Sequence, residues 1–458
     1  MVPLAFVIAG THSGCGKTII SLGLLRLLTR YKQVKPFKVG PDYIDPAFHE
    51  FASSVPSCNL DLHLVGEEGV RCLYARYALP ERLMMVEGVM GLYDGADATS
   101  WGSTAHVAKI LGIPVILVVD AGKMAASAAA MVWGYRSYDP DLKLSGVILN
   151  RVNGEKHFTL LKKAIERDCG VEVLGYLPPS ETFSLPERHL GLIPPSESKN
   201  LEWKLNNVAD QLVKTVSVEK LLRVAKMANN SIPLSPESVL RKKEKVRIGI
   251  ARDQAFHFYY PDSLSVFEEL GGEWVEFSPL ADSEIPEGVG GLYIGGGFPE
   301  VFAHELSENT SLMKSIKKAV AGGMPVYAEC GGYLFLSRSI RDVSGRTFPM
   351  SGVFPAAQEM TSRLVNFGYV DAESVRVSPL SSRPGIVCQG HEFHHSRRLG
   401  ALLHPAYRVG KRNQSRTRKE GEVVYNALGS FIHRHYFRQR DAVQNFLMHI
   451  QAYLRTRR

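Results

Sequence analysis

The stretch Leu4-Ala5-Phe6-Val7-Ile8-Ala9-Gly10-Thr11-His12-Ser13-Gly14-Cys15-Gly16-Lys17-Thr18 constrains this chain more than any other. An apolar run of strand length ends at Gly10, a small Gly-rich turn follows, and from Ile19 to Leu28 apolar residues recur on a helical period. Strand, turn, Gly-Lys-Thr and helix together spell a phosphate-binding loop. Backbone N–H groups at the helix start point at an anion, and the helix dipole adds to the attraction. In this reading Gly14, Cys15, Gly16, Lys17 and Thr18 hold the phosphates of ATP, with Lys17 on the β/γ-phosphates and the Thr18 hydroxyl on Mg²⁺.

The chain around that loop alternates short apolar runs with helical patterns up to about residue 225. The runs are 4–9, 34–39, 83–87, 113–120, 144–150 and 172–177; the helical stretches include 19–30, 67–78, 103–111, 123–137 and 156–168. Such alternation predicts an α/β domain with a doubly wound, mainly parallel sheet, whose ligands sit beyond the C-terminal strand ends. Motifs that directly follow strands therefore carry most weight. After 34–39 comes Gly40-Pro41-Asp42-Tyr43-Ile44-Asp45-Pro46, two carboxylates in a Gly/Pro-rich loop. One of them is expected to complete a Mg²⁺ shell, a hard cation that takes oxygen ligands; helix capping is the competing use. Lys35 or Lys38 is expected to reach the transferred phosphate. After 83–87 comes Glu87-Gly88-Val89-Met90-Gly91-Leu92-Tyr93-Asp94-Gly95-Ala96-Asp97, with Glu87 where a Walker-B-type carboxylate would sit. Asp120 ends a buried strand and is as well suited to capping a helix as to touching a ligand. Asn150 ends another, where its amide offers a donor and an acceptor to an adenine edge.

A length of 458 residues predicts two to three domains, and no apolar run approaches the 18 residues of a membrane span. The start shows no basic, secretory-type leader. Six scattered cysteines (15, 58, 72, 169, 330, 388) form no Cys-x-x-Cys pair, so neither a zinc site nor a disulfide framework is expected, and a reducing cytoplasm fits. The net charge of +8 favours an acidic partner. No recognised nucleic-acid module is present, so a nucleotide or polycarboxylate is preferred to nucleic acid.

Residues 226–245, rich in Asn, Ser and Pro and then charged, read as a linker. A second domain opens with the apolar run 246–251 and extends to residue 458. Its key stretch is Met324-Pro325-Val326-Tyr327-Ala328-Glu329-Cys330-Gly331-Gly332-Tyr333-Leu334. A strand running into Cys, two glycines and a helix form a nucleophile elbow, which exposes the thiol and places it at a helix N-terminus that lowers its pKa. Thiolate acyl transfer needs an oxyanion hole and a base. Gly295-Gly296-Gly297 follows the run 291–294, so the N–H groups of Gly296 and Gly297, with that of Gly331, are the expected oxyanion donors. For the base, histidines cluster in Gly390-His391-Glu392-Phe393-His394-His395-Ser396 and in Ser430-Phe431-Ile432-His433-Arg434-His435-Tyr436-Phe437. The basic run 408–419 reads equally as a solvated hairpin tip or as a contact for an acidic substrate.

Two levels of resemblance follow from these motifs. The loop places Thr11 where a Gly is usual and Gly one residue earlier, a departure that resembles the dethiobiotin synthetases and partition ATPases. Across the whole chain, KVGPDYIDPAFH, EGVMGLYDG, GGGFPE, AECGGY, GHEFHHS and SFIHRHYF, in this order, resemble the cobyrinic acid a,c-diamide synthase family. The resemblance implies a dethiobiotin-synthetase-like ATP domain (1–225) before a class I glutamine amidotransferase-like α/β domain (246–458). It implies a cytoplasmic ligase of cobalamin biosynthesis that amidates the a and c carboxylates of cobyrinic acid. L-glutamine is hydrolysed through a Cys330 thioester with His433 as base, and ammonia displaces phosphate from an acyl phosphate made with ATP. It also implies Mg²⁺ on Thr18, Asp45 and Glu87, and Lys35, Asp42, Tyr43, Asp94 and Asp97 toward substrate or phosphate. A homodimer stays open. Hydrogenobyrinic acid and a nickel sirohydrochlorin are alternative substrates, since no motif encodes the metal. A partition-type ATPase switch is the alternative of a different class; it needs no Cys elbow. One departure stands out: many class I glutaminases carry His-Pro-Glu, whereas this chain has His433-Arg434-His435, so the group orienting the base is missing or supplied elsewhere.

Overall fold

The computed structural model describes residues 3–185, 187–188, 191–192, 194–228, 245–412, 414 and 416–457. It divides into two compact units, residues 1–237 and 238–458. The linker reading of 226–245 falls mostly outside the described residues.

In the first unit seven strands form one sheet: β1 (Leu4–Gly10), β2 (Val34–Val39), β3 (Cys58–Leu60), β4 (Leu83–Gly91), β5 (Val115–Asp120), β6 (Leu144–Asn150) and β7 (Val173–Leu177). Every pairing is parallel, in the order β3-β2-β4-β1-β5-β6-β7. The physical reason is in the composition. A strand such as Val-Ile-Leu-Val-Val-Asp, apolar at every position but the last, suits a sheet covered on both faces, which is where parallel strands occur. All six expected strands are present. The edge strand β3, three residues long, is too short to show a period and was not anticipated; α2 (Ile44–Ser53) is the helix whose capping competed with a metal role for the Asp42/Asp45 loop.

The strand order reverses at β1, with β2–β4 to one side and β5–β7 to the other. The loops after β1 and its neighbours diverge there, which makes the switch point where ligands bind in open α/β sheets. Helix α1 (Lys17–Leu28) begins there, buries Ile20, Leu24, Leu25 and Leu28, and has no side-chain cap at its start. Its first N–H groups thus have no side chain of their own to serve.

The second unit is built on nine strands in the order Gly272–Phe277, Val246–Ala251, Gly291–Ile294, Val326–Glu329, Ala427–Ser430, Thr417–Val424, Pro405–Lys411, Asn366–Ser374, Val387–His394. The first five run parallel and the rest join antiparallel. Alternation along the strands sorts side chains onto two faces. Leu292, Ile294, Val326 and Ala328 enter one buried cluster with Phe335; Tyr293, Tyr327 and Leu428 enter the other with Phe446. The same parity puts Glu329 on the Tyr327 side. The basic run 408–419 spans the tip of the hairpin Pro405–Lys411/Thr417–Val424, with Arg408 on Glu373 and Arg418 on the buried Glu392. No described helix is long and apolar enough to cross a membrane.

Candidate active site

The phosphate loop is the turn from Gly10 to Thr18. Gly14 and Gly16 sit at φ 85° and 92°, left-handed values that cost a side chain dearly and glycine nothing. At Gly16 a Cβ would also strike the Asn150 amide, 1.9 Å from its nitrogen. Asn150 Nδ2 donates to Cys15 O at 2.9 Å, and its Oδ1 accepts from Arg151 N. The Asn150 amide, expected at an adenine edge, makes one bond to the loop backbone and one to its own neighbour Arg151. Asp120 is ion-paired with Arg151 and accepts from Gly122 N.

Glu87 is the hub of this site. Lying 1% exposed in β4, its Oε1 accepts from Lys17 Nζ at 2.9 Å and from the Thr18 hydroxyl at 3.0 Å, with Lys38 Nζ at 3.4 Å. Its Oε2 meets His49 Nε2 at 2.7 Å, and His49 Nδ1 meets the Ser57 hydroxyl at 3.0 Å. Burial works against the Glu87 charge, but Lys17, Lys38 and His49 outweigh it and hold the carboxyl well below its usual range. Lys38 also pairs with Asp45 at 2.6 Å and donates to Gly88 O. Burial opposes its charge too, yet Asp45, Glu87 and Asp42 keep it firmly protonated. Asp42 accepts from Ile44 N and is pushed up to about 7, first by lost solvation and then by the Asp45 charge. Tyr43 is the residue before α2. Asp94 closes the following loop by accepting from Gly91 N at 2.8 Å, and Asp97 lies exposed in the turn Ala96–Ala98.

One expectation fails here. Lys35 is not brought to the cluster. It lies three positions before Lys38, an odd offset, so strand alternation sends the two to opposite faces. Lys35 donates to Pro56 O and lies 3.9 Å from the centre of the Tyr77 ring. It is Lys38 that reaches Glu87 and Asp45. His49 was not singled out from the sequence; the signal was a His one helical turn after Asp45, at i+4 on α2.

In the second unit Cys330 ends the strand Val326–Glu329 and precedes the helix Gly331–Leu336 at φ 49°, ψ −100°. A non-glycine residue held there stores about 1–3 kcal/mol, the strain of an elbow that turns the thiol out of the sheet. Cys330 N is held by Ser430 O at 2.7 Å. Its thiol hydrogen-bonds to His433, which is 3% exposed. Burial opposes a charge on His433, but Cys330 and then Glu329 outweigh it and push the imidazole up to about 10. The imidazole is thus held in its protonated form beside the thiol. The other ring nitrogen, Nδ1, meets Glu329 Oε1 at 2.8 Å.

The glycines crowd around this pair. A Cβ on Gly296 would come within 2.9 Å of the His433 ring, and one on Gly331 within 3.0 Å of Gly297 N. Gly296, Gly297 and Gly331 therefore share one wall of the site with Cys330. The other histidine motif serves as scaffold. His391 exchanges backbone hydrogen bonds with His433 at 3.0 and 2.8 Å, fixing that loop. His394 stacks on Phe431 at 4.1 Å and contacts Ser396 O; burial first holds its imidazole down to about 3. Among the described residues no group of three or more His, Cys, Asp and Glu is placed to hold a metal.

Known proteins show matching divisions. Residues 6–193 match the CobQ/CobB/MinD/ParA nucleotide binding domain, and residues 247–441 the CobB/CobQ-like glutamine amidotransferase domain. A relative named cobyrinate a,c-diamide synthase, from Caldanaerobacter subterraneus subsp. tengcongensis, is 48% identical over 442 residues, covering 96% of this chain and 97% of its own. The chain belongs to the cobyrinate a,c-diamide synthase family. Members with that name from Listeria innocua and Salmonella typhimurium are 41% and 39% identical, covering 94% and 97% of this chain and 96% and 97% of their own. With this membership the protein is an enzyme, a glutamine amidotransferase ligase with a nucleotide-binding domain and a class I glutaminase-like domain.

Proposed function

We propose that the enzyme amidates the a and c side-chain carboxylates of cobyrinic acid, consuming ATP and glutamine. The observation that carries this reading is the pairing, in one chain, of a phosphate loop gathered on Glu87 with a thiol gathered on His433. The first activates an acid and the second frees a nitrogen nucleophile.

In the glutaminase unit the Cys330 thiolate attacks the side-chain carbonyl of glutamine while N–H groups of Gly296, Gly297 and Gly331 face the oxyanion. His433 gives its proton to the leaving ammonia. Water then splits the thioester, releasing glutamate and restoring the thiol. In the nucleotide unit a substrate carboxylate attacks the γ-phosphorus of ATP and ADP leaves. Ammonia attacks the resulting acyl phosphate, phosphate leaves, and the amide remains. A carboxylate is a poor acyl donor until it is phosphorylated, and ammonia is largely protonated in neutral water, so each half supplies what the other lacks.

Lys17 and Lys38 are the cations for the transferring phosphoryl group, with Lys17 moving from Glu87 to the phosphates as nucleotide enters. The donor set suits Mg²⁺: a threonine hydroxyl 3.0 Å from an ionised carboxylate at the loop, with Asp45 reached through Lys38. When bound, the ion supplies charge neutralisation on the phosphate oxygens. Asp42, Tyr43, Asp94 and Asp97 lie on the loops that would face the acid to be amidated. The net charge of +8 suits a polycarboxylate.

The test is a steady-state assay with ATP, Mg²⁺ and glutamine over cobalt, metal-free and nickel tetrapyrrole acids. Amide formation with the cobalt ring is expected. Preference for a metal-free or nickel ring would replace the substrate, and no ATP-dependent amidation of any ring would end the reading.

A further inference from the structure

The base has an orienting partner, and it comes from an unexpected place. Position 435, where the usual pattern has Glu, holds His435, which is fully buried, packs at 4.9 Å on Tyr260 and has its imidazole held down to about 4 by burial. It presents no carboxylate to His433. Glu329 does: it is 1% exposed, and its Oε1 lies 2.8 Å from His433 Nδ1. Its Oε2 is bound by the Tyr327 hydroxyl at 2.6 Å, with Arg434 N at 3.4 Å and the Tyr293 hydroxyl at 3.5 Å. Both tyrosine hydroxyls are held well above their ordinary range, burial first and the Glu329 charge next, so they stay protonated donors. The carboxylate is buried yet satisfied, as a buried charge must be.

We infer that Glu329 is the positioning residue of the glutaminase: the residue just before the nucleophile fixes the His433 tautomer and stabilises its protonated form, with Tyr327 locking the carboxylate. The geometry has a simple origin. The strand ends at the nucleophile, and alternation sends Glu329 to the face opposite the Ala328 side chain, where the tyrosines lie. From there the carboxylate meets His433 Nδ1 while Cys330, past the elbow, contacts the same ring. One strand end thus supplies both the nucleophile and the anchor of its base. This rests on the glutaminase assignment of Cys330 and His433, not on the identity of the tetrapyrrole.

The experiment compares the full-length wild type with Glu329→Gln, which keeps the shape and removes the charge. Glutamate release should fall by about 10³-fold or more, in line with neutralising the orienting acid of a hydrolytic triad. The pH midpoint for iodoacetamide alkylation of Cys330, read by peptide mass, should move up by about one pH unit or more. ATP- and ammonia-dependent amidation should survive as the sign of an intact fold. Should the variant not fold, wild type alone decides: ¹⁵N-histidine labelling should show a low-field ring proton on His433 Nδ1, and its absence overturns the inference. An unchanged alkylation midpoint and near wild-type glutamate release in folded Glu329→Gln would also overturn it. Loss of glutamate release together with an unchanged midpoint would do the same, since it would make Glu329 only a packing residue. If Cys330→Ala released glutamate as fast as wild type, the glutaminase assignment itself would fall instead.

Discussion

The two units solve one problem in opposite ways. Each places a buried carboxylate in a central strand, Glu87 in β4 and Glu329 beside the nucleophile, both 1% exposed. Around Glu87 stand two lysines, a histidine and a hydroxyl; around Glu329 stand one histidine and two tyrosines. The first surrounding has cations to spare, which an incoming polyphosphate can claim. The second has an imidazole beside neutral tyrosine donors, so the charge is turned on that imidazole. A buried carboxylate is therefore not a function in itself. Its partners decide whether it holds cations in readiness for an anion or tunes one base.

The largest effect should come from separating the two halves at the thiol. Cys330→Ala should abolish glutamine-dependent amidation while ammonia-dependent amidation continues. Equal loss with both nitrogen sources would show that the halves are not separable as described. Lys17→Ala attacks the other half. It should cut amidation with either nitrogen source by about 10²-fold or more, as expected when a charge clamp on a transferring phosphoryl group is removed. Glutamate release should persist, and parallel loss of both activities would contradict the division of labour.

Smaller effects sharpen the comparison. His49→Asn removes the group that holds the far oxygen of Glu87. Loss of such an outer partner typically costs about 10–100-fold in metal affinity or activity. The Mg²⁺ concentration for half-maximal amidation should rise with little change in glutamate release; an unchanged Mg²⁺ dependence would make His49 a packing residue.

The smallest effect is on stability. His433 is raised to about 10, so the stability it contributes is fully present below its unfolded value near 6.5 and is lost as pH rises through about 10. Cys330→Ala removes the leading cause that raises it. Unfolding free energies measured at pH 7 and pH 10 should therefore fall less in Cys330→Ala than in wild type, by roughly 1–3 kcal/mol. A larger alkaline loss in the variant would contradict the coupling of His433 to Cys330.

Both strand-loop-helix units were legible because their information is local. The Gly-rich turn before Lys17 and the elbow at Cys330 each need only neighbouring residues to declare a strand, a tight turn and a helix. The nine-stranded sheet was less legible, since its antiparallel half pairs strands by register that no short window contains. Lys35 against Lys38 marks the boundary of local reasoning. Strand alternation alone separates the two, but only the packing of Phe37 against Tyr74 and Tyr77 tells which face is turned from the phosphates.

By itself, then, the sequence determined the order of the two domains, the phosphate loop and the strand–turn–helix at Cys330, because each is written in contiguous residues. Tertiary structure alone decided the partners. Glu329 meets His433 across 104 residues, and His49 meets Glu87 across 38. Such pairings are set by which strand ends and helix faces the sheet brings together, and burial then makes each hydrogen bond obligatory.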